Sequence, residues 1–193
     1  MGGITHRDRV LRAVSHEETD RTPMDLGGSF ASTITLGAYE KLKAHLGIGS
    51  ETEVLSERSQ LAVVDEEILR LFDIDTRMLI QGAPERATIE RFSDGSYKDE
   101  WGVVRSRPAG GHYYVSGPTF PGELTVQEVE RFSWPDPHDP GYTRGIAERA
   151  DYLQNRSDYA VVLNLQVGFI HQSQFMRGFD RWMMDFVERP AVI

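Results

Sequence analysis

Apolar positions spaced three and four apart divide the chain into short amphipathic segments. Val10, Leu11 and Val14 form one stripe, and Thr5 with Asp8 in the first turn marks a helix over residues 5–16. Leu36, Tyr39, Leu42 and Leu46 form a second stripe, closed by Gly47 at a left-handed C-cap position. Leu61, Val64, Ile68, Leu71 and Phe72 form a third, with Ser56 as its predicted cap. Asp20 to Pro23 breaks the chain after the first helix; Met24 to Leu26 then reads as a very short strand and Thr76 to Ile80 as a longer one.

A different texture follows. The runs 87–92, 97–107 and 112–115, separated by Asp94-Gly95 and by Pro108 to Gly111, predict an antiparallel β-meander inserted at about 86–117. Asp99 and Glu100 are expected on its solvated face, with Tyr97, Trp101, Tyr113 and Tyr114 on its packed side. Thr125 and Glu128 fit a capping box that opens a brief helix to about Arg131, and the prolines of residues 134–140 predict an extended linker. Tyr142 to Gln154 reads as helix, Tyr159 to Leu165 as a buried parallel strand and His171 to Val187 as helix again, stopped by Pro190.

Strands at about 24, 76 and 160, alternating with amphipathic helices, imply βα units and a parallel sheet. Three such units are too few for a closed barrel, which takes about eight strands and roughly 250 residues. The apolar Val192 and Ile193 begin a pattern rather than finish one, so the 193 residues are expected to be a piece of a longer chain.

Charge narrows the partners. The net charge of -9 and the absence of any Lys/Arg cluster longer than a pair disfavour a nucleic-acid groove or an anionic membrane as partner. No run approaches the ~18 apolar residues of a membrane span, and the N-terminus lacks the apolar core of a signal peptide, so a cytoplasmic protein is expected. With no cysteine there is no disulfide framework, thiolate nucleophile or cysteine-ligated zinc in these residues.

Candidate chemistry gathers at predicted strand ends. Gly27-Gly28 fails the dinucleotide fingerprint for want of a third glycine, and the phosphate loop for want of Gly-Lys-Ser/Thr. What remains around Asp25, Gly28 and Ser29 is either a tight turn or the rim of a site. Asn164 and Gln166 enter an apolar strand near its end, where a ligand or a neighbouring loop must satisfy their amides. His171 follows six residues after that strand, near the mouth where parallel-strand enzymes place their chemistry. The other histidines are scattered and read as surface or structural.

Taken together, "DRVLRAVSHEETDRTPMDLGG", "LRLFDIDTRMLI", "DEWGVV", "SWPDP" and "MRGFDRWMMDFVERP" resemble the uroporphyrinogen decarboxylase superfamily along about residues 5–190, closest to its methyltransferase-like branch. The resemblance implies an α/β fold, the N-terminal part of a (β/α)8 TIM barrel carrying the meander, with the C-terminal half absent from residues 1–193. Decarboxylases of the family carry an Arg-Gln-Ala-Gly-Arg motif after the first strand; here that place reads Gly28-Ser29-Phe30-Ala31-Ser32, with no cation. Their pyrrole-binding Asp falls at Gly82, and their tyrosine at about Gln174. A substrate with many carboxylates needs bidentate arginines, so a rim of Gly, Ser and Thr around Asp25 suits a smaller, less charged one.

What the resemblance implies is methyl transfer in one-carbon metabolism, between a methylated small molecule, a corrinoid protein and/or a thiol. Asp25, Gly28, Ser29, Asn164, Gln166 and His171 are the expected substrate-binding residues. The catalytic residues are not identified. No cofactor is expected in these residues; corrinoid would come on a partner protein, and zinc would belong to the complete chain. Residues 1–193 alone are expected to be inactive. Porphyrinogen decarboxylation and a non-catalytic binding module are the alternatives.

Overall fold

A computed structural model describes residues 3–87, 89–165 and 168–190. The chain forms two compact units, Met1–Ala83 with Gly141–Leu165, and Pro84–Pro140 with Gln166–Ile193.

The first unit opens with α1 (His6–Val14), where the Thr5 hydroxyl accepts from Asp8 N–H as the sequence predicts. α2 (Leu36–Leu46) ends at Gly47 in the left-handed conformation. The predicted helix from Ser56 does not form there. Val54–Ser56 (β1) and Leu61–Ala62 (β2) pair antiparallel instead, and the helix is only α3 (Glu66–Leu71). The reason is tertiary. Gln60 and Ile34 carbonyls accept from Leu36 and Ala62 amides, so residues 61–62 lie extended beside residues 34–36, and Ala62 and Val64 alternate into the core. That core is Tyr39, Ala62, Val64, Ile68, Leu69 and Ile74, with Leu26, Leu36, Leu42 and Ile48 packed against it.

β3 (Thr76–Ile80) and β8 (Ala160–Asn164) pair in parallel, Thr76 opposite Ala160 and Ile80 opposite Asn164, while α1 and α5 (Ile146–Arg156) contact both strands. Arg7 ties α1 to the end of α5, donating to the carbonyls of Leu153, Gln154, Ser157 and Tyr159. A cation with five donors suits the unpaired carbonyls of a helix C-terminus. Met24–Leu26 is not a strand. Asp75 N–H donates to Met24 C=O, but the Asp75 carboxylate takes the Met24 N–H, so a side chain ends the ladder after one bond.

The second unit carries β4 (Glu90–Arg91), β5 (Tyr97–Lys98), β6 (Val104–Ser106) and β7 (Tyr114–Gly117), an antiparallel sheet in chain order. The predicted run 97–107 is broken by a turn that Asp99 builds. Its Oδ1 accepts from Trp101 and Val103 amides and its Oδ2 from Arg105 Nε at 2.8 Å, so Asp99 is a half-buried turn-former rather than part of a solvated face. The capping box forms: Thr125 and Glu128 exchange both bonds at the start of α4 (Val126–Arg131). The single helix predicted for 171–187 is two, α6 (Phe169–Arg177) and α7 (Phe179–Glu188), because Gly178 at φ 80° breaks the helical path.

These sheets correct the barrel expectation. Among the described residues the parallel sheet has two strands, the other two sheets are antiparallel, and none closes into the barrel of eight parallel strands. No described helix is long and apolar enough to cross a membrane.

Candidate functional site

At the start of β3 lies Asp75, whose side chain has no exposed surface. His6 Nδ1 stands 2.7 Å from its Oδ1, Arg9 Nη1 2.5 Å from the same atom, Arg21 Nη1 2.6 Å from Oδ2, and Met24 N–H donates to Oδ2. Burial opposes the charge, but the Met24 amide, Arg21, His6 and Arg9 outweigh it and hold the carboxyl at about 2. Arg9 also grips Asp20 through two nitrogens, which lowers the Asp20 carboxyl to about 2. Every oxygen of Asp75 is spent on fixed donors, so this end holds α1, residues 20–24 and β3 together.

The chain then runs along the sheet. Met24 sits beside Asp75 at the start of β3, and six residues later Phe30 N–H donates to Asn164 Oδ1 at the end of β8. Asn164 Nδ2 donates to Gly28 C=O at 2.6 Å, so one amide closes both of its sides on the 28–30 backbone. Within the loop, the Ser29 and Ser32 hydroxyls lie 3.1 Å apart, Ser29 N–H donates to Ser32 Oγ, and Ala31 N–H donates to Ser29 Oγ. Thr33 Oγ1 donates to Ala62 C=O and anchors the loop's far end.

Asp25 is exposed on this loop. Its Oδ1 accepts from Gly28 N–H at 2.9 Å and from the hydroxyl of Thr76, which is buried on β3; Oδ2 accepts no hydrogen bond among the described residues. The carboxylate is thereby oriented by two neutral donors while one oxygen remains for another partner. Gly28 is required by this packing: a β-carbon there would run into Asp25 Oδ1 and lie 2.8 Å from Thr76 Oγ1. The space that glycine leaves is occupied by the loop's own carboxylate.

Asp25, Gly28, Ser29 and Asn164 are thus brought together, and Asn164 finds its partners in the neighbouring loop. Gln166 lies outside the described residues. His171 is exposed on α6 in the second unit. The sequence reading missed Thr76, which looked like ordinary strand, and Asp75, whose only signal was an aspartate at the head of an apolar strand. Among the described residues no group of three or more His, Asp or Glu is arranged to hold a metal ion.

No family model, curated protein or solved structure matches the chain.

Proposed function

We propose that the chain is part of a cytoplasmic methyltransferase of the uroporphyrinogen decarboxylase superfamily, moving a methyl group between a methylated small molecule and a corrinoid protein or a thiol. The sequence resemblance suggests the family. The observation that carries the reading is Asp25, an exposed carboxylate fixed through Oδ1 by Gly28 and Thr76 on a loop, residues 23–34, without a single cation. Such a loop favours a ligand that is neutral or donates hydrogen bonds, and it repels the carboxylate-rich porphyrinogen. Asp25 would orient that ligand, with Ser29 and Asn164 holding the loop's shape.

The complete protein should be incubated with cob(I)alamin and a panel of methyl amines, methyl ethers and methanol. Formation of methylcobalamin, read by its absorbance, is the expected result, and Asp25→Ala should lower kcat/KM. Formation of coproporphyrinogen from uroporphyrinogen would overturn this reading in favour of decarboxylation. Absence of any turnover with Asp25 intact would favour a binding module.

A further inference from the structure

We propose that Thr76 is the positioning residue of the Asp25 site, acting on the ligand only through that carboxylate; this rests on the functional reading above. Thr76 is 5 % exposed and is the first residue of β3, where its backbone is fixed by register with Ala160 and by Asp75 beside it in the buried ion cluster. A β-branched side chain on a strand has few χ1 choices, so its hydroxyl is held in place before Asp25 meets it. That hydroxyl and Gly28 N–H both donate to Oδ1 of Asp25. Two donors on one oxygen fix the carboxylate plane and leave Oδ2 as the acceptor that takes no hydrogen bond among the described residues.

Neither donor carries charge, so the negative charge of Asp25 is not neutralised by its holders. The group placed against Oδ2 is therefore a hydrogen-bond donor, a hydroxyl or a protonated amine, and not a carboxylate or phosphate. The loop's hydroxyls do not compete for this role: Ser29 and Ser32 are engaged with each other, and Thr33 with Ala62. Val at position 76 would keep the shape and remove only the donor, whereas Ser would keep the donor.

The experiment compares Thr76→Val and Thr76→Ser in the complete protein by two readouts. The first is methyl transfer to cob(I)alamin. Loss of a hydrogen bond to a charged group predicts a fall in kcat/KM on the order of tenfold for Thr76→Val. Thr76→Ser should stay near wild type, and Thr76→Val should add nothing once Asp25 is Ala and the acceptor is gone. The second is labelling of Asp25 by a water-soluble carbodiimide with glycinamide, read by peptide mass spectrometry; Val should label several-fold faster than Ser or wild type because Oδ1 is freed. Should Thr76→Val fail to fold, Thr76→Ala reads the same loss. Equal labelling in all forms, or additive kinetic effects of Thr76→Val and Asp25→Ala, would overturn the positioning role. Faster labelling in Thr76→Val with no methyl transfer by wild type would support positioning and sink the methyltransferase reading.

Discussion

Arg9 Nη1 stands 2.5 Å from Oδ1 of Asp75, a carboxylate with no exposed surface, and the same guanidinium reaches Asp20 with its other two nitrogens. One cation therefore joins α1 to the 20–24 segment and to the head of β3. Replacing Asp75 by Ala leaves Arg9, 8 % exposed, without its buried counterion. Removing one partner of a buried pair costs about 3–5 kcal/mol. Urea unfolding of Asp75→Ala should show a loss of that size with an unchanged m-value. A loss below ~1 kcal/mol would mean that water reaches the cluster and that the pair is of surface type.

The same cluster sets an acid limb. The folded-state value of Asp75, about 2, lies below its ordinary 3.8, so the stabilisation is complete above the ordinary value and disappears as pH falls through the folded one. Stability should therefore decline between about pH 4 and 2, with roughly 2 kcal/mol of the decline due to Asp75. The groups facing it are His6, Arg9 and Arg21, with Asp20 and Asp73 behind them. Asp20 titrates in the same window, so Asp75→Asn should flatten the limb without removing it. The check is urea unfolding of both forms across that range.

Local signals were legible where a side chain acts on its own turn. Thr5, Gly47 and the Thr125–Glu128 box mark helix ends because each satisfies backbone groups within a few residues of itself. The helix expected from Ser56 failed because residues 60–62 bond to residues 34–36, about 26 positions away, which no window of periodicity contains. The barrel failed for a related reason: helix and strand alternation does not tell how many strands pair in parallel, and β3 with β8 is one pair. At the candidate site, Asp25 and Gly28 stood out as a carboxylate beside paired glycines. Thr76 did not, since a threonine opening a strand is what β-propensity alone would place there.

Gly28 offers a test of how tightly Asp25 is held. A methyl group there meets Asp25 and Thr76 Oγ1, and Thr76 cannot retreat because β3 is pinned against β8. Overpacking of this kind costs about 1–3 kcal/mol. Gly28→Ala should therefore lose stability in that range by thermal or urea unfolding. Pairing it with Asp25→Ala, which removes the obstructing carboxylate, should recover part of the loss. No recovery would mean that the clash falls on Thr76 and the strand, and that Asp25 moves freely.

In the second unit, Arg177 draws α6, α7 and the 120–122 segment together. Its Nε and Nη2 bond the buried Asp185 carboxylate at 2.5 and 3.2 Å, while Nη1 donates to the carbonyls of Phe120 and Gly122. Arg177 also lowers the Asp185 carboxyl below its usual range. A lysine keeps the charge, but its single ammonium cannot span a carboxylate and two carbonyls. Arg177→Lys should cost about 2 kcal/mol through the stranded carbonyls. Arg177→Met, which strands Asp185 as well, should cost about 3–5 kcal/mol. Amide exchange gives the location, because Phe120 N–H donates to Met176 C=O next to Arg177 and should lose protection in both variants. Equal losses in Lys and Met would show that the planar fork contributes nothing. A smaller loss in Met than in Lys would show that the buried charge pair is a net cost, as can happen when desolvation exceeds attraction.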